Sequence, residues 1–172
     1  LIIEPIIKIY TFYEHPGNTI KYLPNGKVNS AASITNVTEI ECRDSLIIRL
    51  IKEHAKEDRK ILVLSDRKRH CEKIVHELKN TSYTVGLYYG GMKKDELNIS
   101  NNCDIIVATY QMASEGYDNP ELDTLVLASP KCNIEQAVGR ILRKINKNLP
   151  AVIDLNDSIS IFNNWNKKRL SF

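Results

Sequence analysis

The sequence lacks long apolar runs and closely spaced cysteines. No stretch reaches the ~18 consecutive apolar residues that a membrane-spanning helix needs, so we expect no membrane partner. The first seven residues have no basic segment and are interrupted by Glu4 and Pro5, which argues against a signal peptide. The four cysteines form no Cys-x-x-Cys pair, and the four histidines show no metal-ligand spacing. This favours reduced thiols in a cytosol-like compartment over disulfides or zinc.

Charge of either sign is present, but it is unevenly distributed. The chain of 172 residues carries a net charge of only +3, with 42% hydrophobic and 26% charged residues, as in ordinary soluble domains. Residues 59–79 and 131–172 are rich in Lys and Arg, whereas residues 80–130 are acidic. The pattern predicts a positive surface, which is a weak indication of a nucleic-acid partner.

Short apolar runs alternate with helical patterns over most of the chain. This alternation predicts an α/β domain with a mostly parallel sheet and helices on both of its faces. Strands are predicted at 6–13, 60–65, 83–88, 104–108, 124–128 and 151–155, and helices at 44–55, 66–79, 93–99, 134–145 and 159–170. Residues 15–38 contain two turn patterns and are predicted to form a hairpin or an ordered loop. In parallel sheets, ligands bind beyond the carboxyl ends of the strands, so the residues that follow strands, 65–67, 91, 109 and 129–130, should share one edge of the sheet.

The helix around residues 136–143 has the most unusual polar face. At 100° per residue, Gln136, Gly139, Arg140 and Arg143 fall on one side, opposite an apolar stripe. Glycine inside a helix costs about 1 kcal/mol relative to alanine, and close approach of a ligand is one reason to keep it. Two guanidinium groups suit phosphate oxygens. The alternative is an ordinary amphipathic helix with solvated arginines.

Several residues that follow predicted strands could also contact phosphate or sugar. Gly91 allows close backbone approach, although it could simply form a turn. Thr109 could offer its hydroxyl group, or could only cap a helix. Arg67 is the first of three basic residues at the predicted start of a helix, where positive charge opposes the helix dipole. A polyanionic partner would remove this conflict, although a solvated helix face explains the residues equally well. In the loop 114–120, Gly116 permits a tight turn and Asp118 could accept bonds from a ribose or an arginine, or could serve the turn alone.

The order of these motifs is more specific than any one of them. Residues 61–67, then 89–91, then 107–118 and finally Gln-Ala-Val-Gly-Arg-Ile-Leu-Arg at 136–143 resemble motifs IV, IVa, V and VI of the second RecA-like domain of superfamily 2 helicases. The resemblance covers about residues 43–155, and the last motif is quite specific. The residues of this motif are similar to those of repair-type helicases, and within that group to those of the transcript-release helicases of poxviruses and African swine fever virus.

The resemblance implies a role for each of these residues. Arg140 and Arg143 would be arginine fingers at the γ-phosphate of ATP, and Gln136 would lie beside that phosphate or the attacking water. ATP and Mg²⁺ would be bound mainly by a preceding N-terminal RecA-like domain of the same protein. The residues expected at the ribose or the fingers are Gly116 and Asp118, and those expected at the backbone of a nucleic-acid strand or duplex end are Arg67, Gly91 and Thr109.

The chain lacks two motifs of a complete helicase. It has no Gly-x-x-x-x-Gly-Lys-Ser/Thr phosphate loop and no Asp-Glu box for magnesium. We therefore expect the C-terminal half of a longer helicase, inactive alone and acting in the host cytoplasm or virion. We divide it into an N-terminal strand and loop, 1–42, and a helicase domain, 43–172. The alternatives are a non-catalytic nucleic-acid-binding or regulatory domain and half of a nucleotide-dependent transferase. The sequence leaves open whether DNA, RNA or a hybrid is bound.

Overall fold

Six parallel strands form one sheet in the computed structural model, which describes residues 4–13, 15–141 and 146–171. Their order across the sheet is β1-β6-β5-β2-β4-β3, and every neighbouring pair is parallel. The strands are β1 (Ile6–Phe12), β2 (Ile61–Ser65), β3 (Val85–Tyr88), β4 (Ile105–Thr109), β5 (Thr124–Leu127) and β6 (Ala151–Asp157). The predicted α/β class and parallel sheet are confirmed.

Seven helices are seen in the described part of the chain. They are α1 (Ser30–Val37), α2 (Glu41–Ala55), α3 (Lys68–Leu78), α4 (Lys94–Asn101), α5 (Tyr110–Ser114), α6 (Glu135–Ile141) and α7 (Ser160–Leu170). Side chains of α2 and α3 share one apolar cluster with alternate residues of the strands. Those of α5 and α6 share a second cluster with the other strand residues. Since successive strand side chains point to opposite faces, helices cover both sides of the sheet.

The central strands are buried because both of their faces are covered. All residues of β2 and β4 are buried, which explains why these strands read as continuous apolar runs. In β2, Ile61 and Val63 face α2 and α3, whereas Leu62 and Leu64 face α5 and α6. In these two strands the polar residues, Ser65 and Thr109, stand at the carboxyl ends.

Residues 15–38 differ from the prediction of a hairpin or loop alone. A single antiparallel bridge joins Tyr22 and Val28, as a short hairpin would, but residues 30–37 form helix α1. Asn29 caps it by accepting a bond from the Ala32 amide at 3.0 Å. The apolar side of α1 packs on Phe162 of α7, in a small cluster that contains Ile34, Val37 and Ile40. The helix was missed because this packing partner lies far away in sequence.

The N-terminal strand extends the same sheet that the rest of the chain forms. All seven residues of β1 pair with β6. Nearby, the fully buried Arg43 at the start of α2 binds both carboxylate oxygens of Asp157, with N–O distances of 2.7 and 2.9 Å. Its third bond goes to the Ala128 carbonyl, at 2.8 Å. One side chain thereby joins α2 to the carboxyl ends of β5 and β6.

Candidate functional site

Helix α6 presents a polar face above an apolar one, as its sequence predicts. Ala137 and Val138 are buried in the cluster with β2 and β5, whereas Gln136 and Gly139 are exposed. The Asn133 side chain accepts a bond from the Glu135 amide, 3.1 Å away, at the start of the helix. Arg143 lies outside the described residues, and so does the side chain of Arg140.

An open cleft of about 470 Å³ lies between the start of α6 and the carboxyl ends of β2 and β4. Its lining side chains include those of Asp66, Tyr110, Gln111, Lys131 and Gln136. The Lys131 ammonium lies 3.1 Å from an Asp66 carboxylate oxygen and 5.1 Å from the centre of the Tyr110 ring. The cleft thus brings Gln136 together with an amide, a cation and a carboxylate, groups that can contact phosphate and sugar.

The wall of this cleft is held by hydrogen bonds that sequence reasoning missed. The Asp66 amide donates to the Ser129 hydroxyl at 2.8 Å, and the Tyr110 hydroxyl donates to the Ser129 carbonyl at 2.9 Å. Burial raises the pKa of Tyr110 well above its ordinary value, so it remains a phenol. The one available hint was that both residues directly follow strands. These bonds fix β2 and β5 relative to each other beside Gln136.

Three predicted contact residues lie along one edge of the sheet. Because β3, β4 and β2 are consecutive neighbours, Gly91, Thr109 and Arg67 follow their carboxyl ends in that order. Gly91 is exposed with φ +97°, a conformation that favours glycine. The Thr109 hydroxyl accepts a bond from the Met112 amide at 3.4 Å, so it does cap α5. The prediction that these positions share one edge is confirmed.

The loop after α5 carries the other two predicted residues. Gly116 has φ +82°, as its expected tight turn requires. Asp118 is exposed two residues later. Between them Tyr117 is buried, and its ring meets that of Tyr88 edge to face, with 4.7 Å between ring centres. An aromatic anchor therefore places the loop beside the end of β3.

Arg67 contacts helix α1, which sequence reasoning did not predict. Its guanidinium donates to the Thr35 hydroxyl at 2.8 Å, the Ala31 carbonyl at 2.6 Å and the Asp66 carbonyl at 3.0 Å. All three acceptors are neutral, so none of these contacts offsets the positive charge. Three of the five N–H groups of an arginine are used in this way, which leaves two for a ligand.

The neighbouring Lys68 holds the glycine turn that follows β3. Its ammonium donates to the Gly90 carbonyl at 2.7 Å and lies 5.0 Å from the centre of the Tyr89 ring. The Tyr89 hydroxyl in turn donates to Glu72 of α3 at 2.6 Å. Helix α3 therefore positions both Arg67 and the turn that contains Gly91.

A buried polar chain runs from the end of β2 into α2. Ser65 bonds to Nδ1 of His70 at 2.9 Å, and Nε2 of His70 bonds to Asp44 at 2.9 Å. Lys73 completes the chain with an ammonium 2.6 Å from the second Asp44 oxygen. Burial lowers the pKa of His70 although Asp44 opposes this, so the imidazole is neutral near pH 7. Ser65 also accepts a bond from the Arg67 amide at 3.2 Å.

The family description "Helicase conserved C-terminal domain" matches residues 42–145. The match covers more than half of the chain and includes every residue that the resemblance singled out. The chain belongs to the helicase C-terminal domain family.

Relatives of this helicase C-terminal domain occur in large DNA viruses. This chain is 41% identical over 145 residues to L396 of Acanthamoeba polyphaga mimivirus, a protein named for an inferred ATP-dependent RNA helicase activity. The alignment covers 80% of this chain and 28% of L396. It is also 28% identical over 160 residues to 161L of Invertebrate iridescent virus 6, named for an inferred helicase activity, covering 81% of this chain and 35% of that protein. The chain thus spans about a third or less of these relatives.

Solved structures share the fold. T4 UvsW superposes with a TM-score of 0.63 at 27% identity, covering 88% of this chain and 32% of UvsW. The C-terminal part of the Fun30 ATPase domain superposes with a TM-score of 0.62 at 13% identity, covering 73% of this chain and 44% of that one. The RecA-like fold predicted from the motif order is confirmed.

The family implies use of ATP with Mg²⁺, and the side chains of the cleft beside α6 are of kinds that can bind a nucleotide. Its exposed amides at Gln111 and Gln136 and its lysine suit the outer wall of a nucleotide pocket, where phosphate and sugar oxygens need donors. Among the described residues, no group of three or more His, Cys, Asp or Glu is placed to hold a metal ion. Within the same residues, no helix is long and apolar enough to cross a membrane.

Proposed function

We propose that this chain is the second motor domain of an ATP-dependent nucleic-acid helicase or translocase. The observation that carries the proposal is the polar face of α6, which lies beside an open polar cleft at the carboxyl ends of the strands. Membership of the helicase C-terminal domain family supports this assignment in general terms, and the geometry of the cleft supports nucleotide binding there. The residues of the last motif and the viral relatives lead us to extend the proposal to a role in viral transcription, in the host cytoplasm or the virion.

The proposal assigns the nucleotide contacts to three residues of the α6 segment. Arg140 and Arg143 supply fixed positive charge to the phosphate oxygens, and Gln136 contacts the γ-phosphate or orients water. Arginine fingers are worth about 10³–10⁵ in rate in related phosphoryl transfers. Gly116 and Asp118 meet the ribose or position the fingers. Bound ATP and Mg²⁺ supply the hydrolysis that drives movement, and a preceding RecA-like domain holds most of both.

The proposal assigns strand contacts to the sheet edge that carries Gly91, Thr109 and Arg67. A positive-φ glycine lets phosphate approach the backbone, and Arg67 retains two N–H groups on a guanidinium that pairs with no carboxylate in the described part of the chain. Contacts of this kind go to sugar and phosphate, so they position a strand without reading its sequence. The mimivirus relative is named for RNA; we accordingly propose that RNA be assayed beside DNA.

Arg143→Ala in the longer protein tests the nucleotide half of the proposal. We expect strand-stimulated ATP hydrolysis to fall at least about 10³-fold, because the positive charge on the phosphate is lost. The strand dissociation constant should change less than about twofold, since Arg143 is not assigned to the strand. Phosphate release and fluorescence anisotropy measure the two quantities.

Arg49→Ala is the matched control, because Arg49 is an exposed arginine on α2 whose one ion pair within the described residues is with Glu53, at 3.8 Å. It should keep full turnover. If Arg143→Ala turned over ATP at the normal rate, the arginine-finger assignment would be wrong. The non-catalytic binding or regulatory domain would then be the better description.

A further inference from the structure

We propose that the cleft between α1 and α3 is a further binding site for the phosphates of a nucleic-acid strand. This cleft, here called the α1–α3 cleft, has a volume of about 360 Å³ and is lined by Thr35, Thr38, Glu39, Arg67, Arg69, His70 and Lys73. It opens beside Arg67, at the end of the sheet edge described above. The inference deepens the proposed function and rests on its strand-binding half.

The lining of the α1–α3 cleft contains three cationic side chains, those of Arg67, Arg69 and Lys73, and one carboxylate, that of Glu39. Arg69 is exposed, and within the described residues its side chain forms no hydrogen bond or ion pair. Glu39 likewise forms no salt bridge with any described cation. Among the residues that the structure describes, the Arg67 side chain bonds only to neutral oxygens. The charge of these two arginines is therefore available to an anion, because neither is paired.

The spacing of the cations on α3 suits a chain of phosphates better than a single ion. Arg69 and Lys73 are four residues apart, so they lie on the same face of the helix with their Cβ atoms about 5–6 Å apart. Arg67 lies before them at the sheet edge, next along from Thr109 and Gly91. A strand that follows the ends of β3, β4 and β2 would reach Arg67 and could then continue along α3.

The walls of the α1–α3 cleft are held in place before any ligand arrives. Lys73 is joined through Asp44 and His70 to Ser65 at the end of β2. On the other wall, Thr35 accepts the bond from Arg67 and donates its own hydroxyl to the Ala31 carbonyl at 3.1 Å. Arg67 and Lys73 are therefore ordered before binding, which favours affinity, and the ligand has to order mainly the Arg69 side chain.

Arg69→Gln in the 172-residue chain tests the α1–α3 cleft. A fluorescein-labelled single-stranded 12-mer, as RNA and as DNA, is titrated by anisotropy across several salt concentrations. The slope of log K against log salt should fall in magnitude by about 0.7, the value for one phosphate contact on a single strand. This corresponds to about eightfold weaker binding at 50 mM salt and about threefold at 200 mM. Arg69→Lys should keep the slope.

The matched control is Arg49→Gln, an exposed arginine on α2 outside the cleft. It should leave both the slope and the affinity unchanged. A slope for Arg69→Gln equal to that of the unmodified chain would overturn the site, as would failure of the unmodified chain to bind any strand at 50 mM salt. Displacement of the 12-mer by polyglutamate of equal charge at equal concentration would indicate an acidic protein segment and would also overturn it. An Arg143-dependent ATPase with an unchanged Arg69→Gln slope would remove this site while leaving the motor assignment standing.

Discussion

His70 is a titratable side chain buried between a serine and a carboxylate. In the neutral form its ring donates through Nε2 to Asp44 and accepts at Nδ1 from Ser65. Burial lowers the pKa of His70. Burial also acts to raise the pKa of Asp44, but bonds from His70 and Lys73 outweigh it and lower that pKa, so the carboxylate stays ionised near neutral pH. The pair links β2, α2 and α3 through groups that have defined charge states.

The stability of the chain should therefore fall in mild acid. In the unfolded chain, histidine takes up a proton near pH 6.5, whereas folded His70 resists it. The unfolded state then binds more protons, and the free energy of unfolding decreases as the pH falls below about 6.5, by up to about 1.4 kcal/mol per pH unit. His70→Gln should flatten this dependence between pH 7.5 and 5.5. Urea unfolding at three pH values measures it.

His76→Gln on the same helix is the control, since His76 is exposed. This variant should keep the slope of the unmodified chain. If His70→Gln and His76→Gln showed equal slopes, the buried imidazole would not be the source of the pH dependence.

The contact between β3 and α4 depends on the absence of a side chain. A Cβ added at Gly86 would lie 2.6 Å from the Ser100 Cα, a backbone atom that cannot move without shifting α4. Gly86→Ala should therefore lower the free energy of unfolding by about 1–3 kcal/mol through overpacking. The control is Gly90→Ala, where the new Cβ would meet only the Met112 sulfur, at 3.9 Å. Equal losses for the two variants in urea unfolding would contradict this account.

Elements with their own apolar pattern could be predicted from sequence, whereas elements that depend on distant partners could not. The strands at 61–65 and 105–109 are continuous apolar runs, and their parallel pairing placed Gly91, Thr109 and Arg67 on one edge. Helix α1 has few apolar residues, and they pack on Phe162. For the same reason the contacts of Arg67 with α1 were not foreseen, since Ala31 lies 36 residues away in sequence. The assigned chemical roles of the site residues remain predictions.

At the scale of the whole molecule, the chain should be one part of an ATPase. We expect the purified chain to release no phosphate from ATP, with or without a single strand, because the sequence contains no phosphate loop. A coupled phosphate assay on the chain, with the longer protein as the positive control, measures this. Turnover that persists through successive purification steps at constant specific activity would contradict the prediction.

Two kinds of charge in this domain should respond differently to ionic strength. The cations of the α1–α3 cleft face solvent, where counterions at 1 M reduce the range of electrostatic attraction to about 3 Å. Arg43 and Asp157 are completely enclosed, so dissolved ions do not reach them. Raising the concentration of potassium chloride should therefore detach a bound oligonucleotide while the domain stays folded, which offers a gentle route to nucleic-acid-free protein during purification.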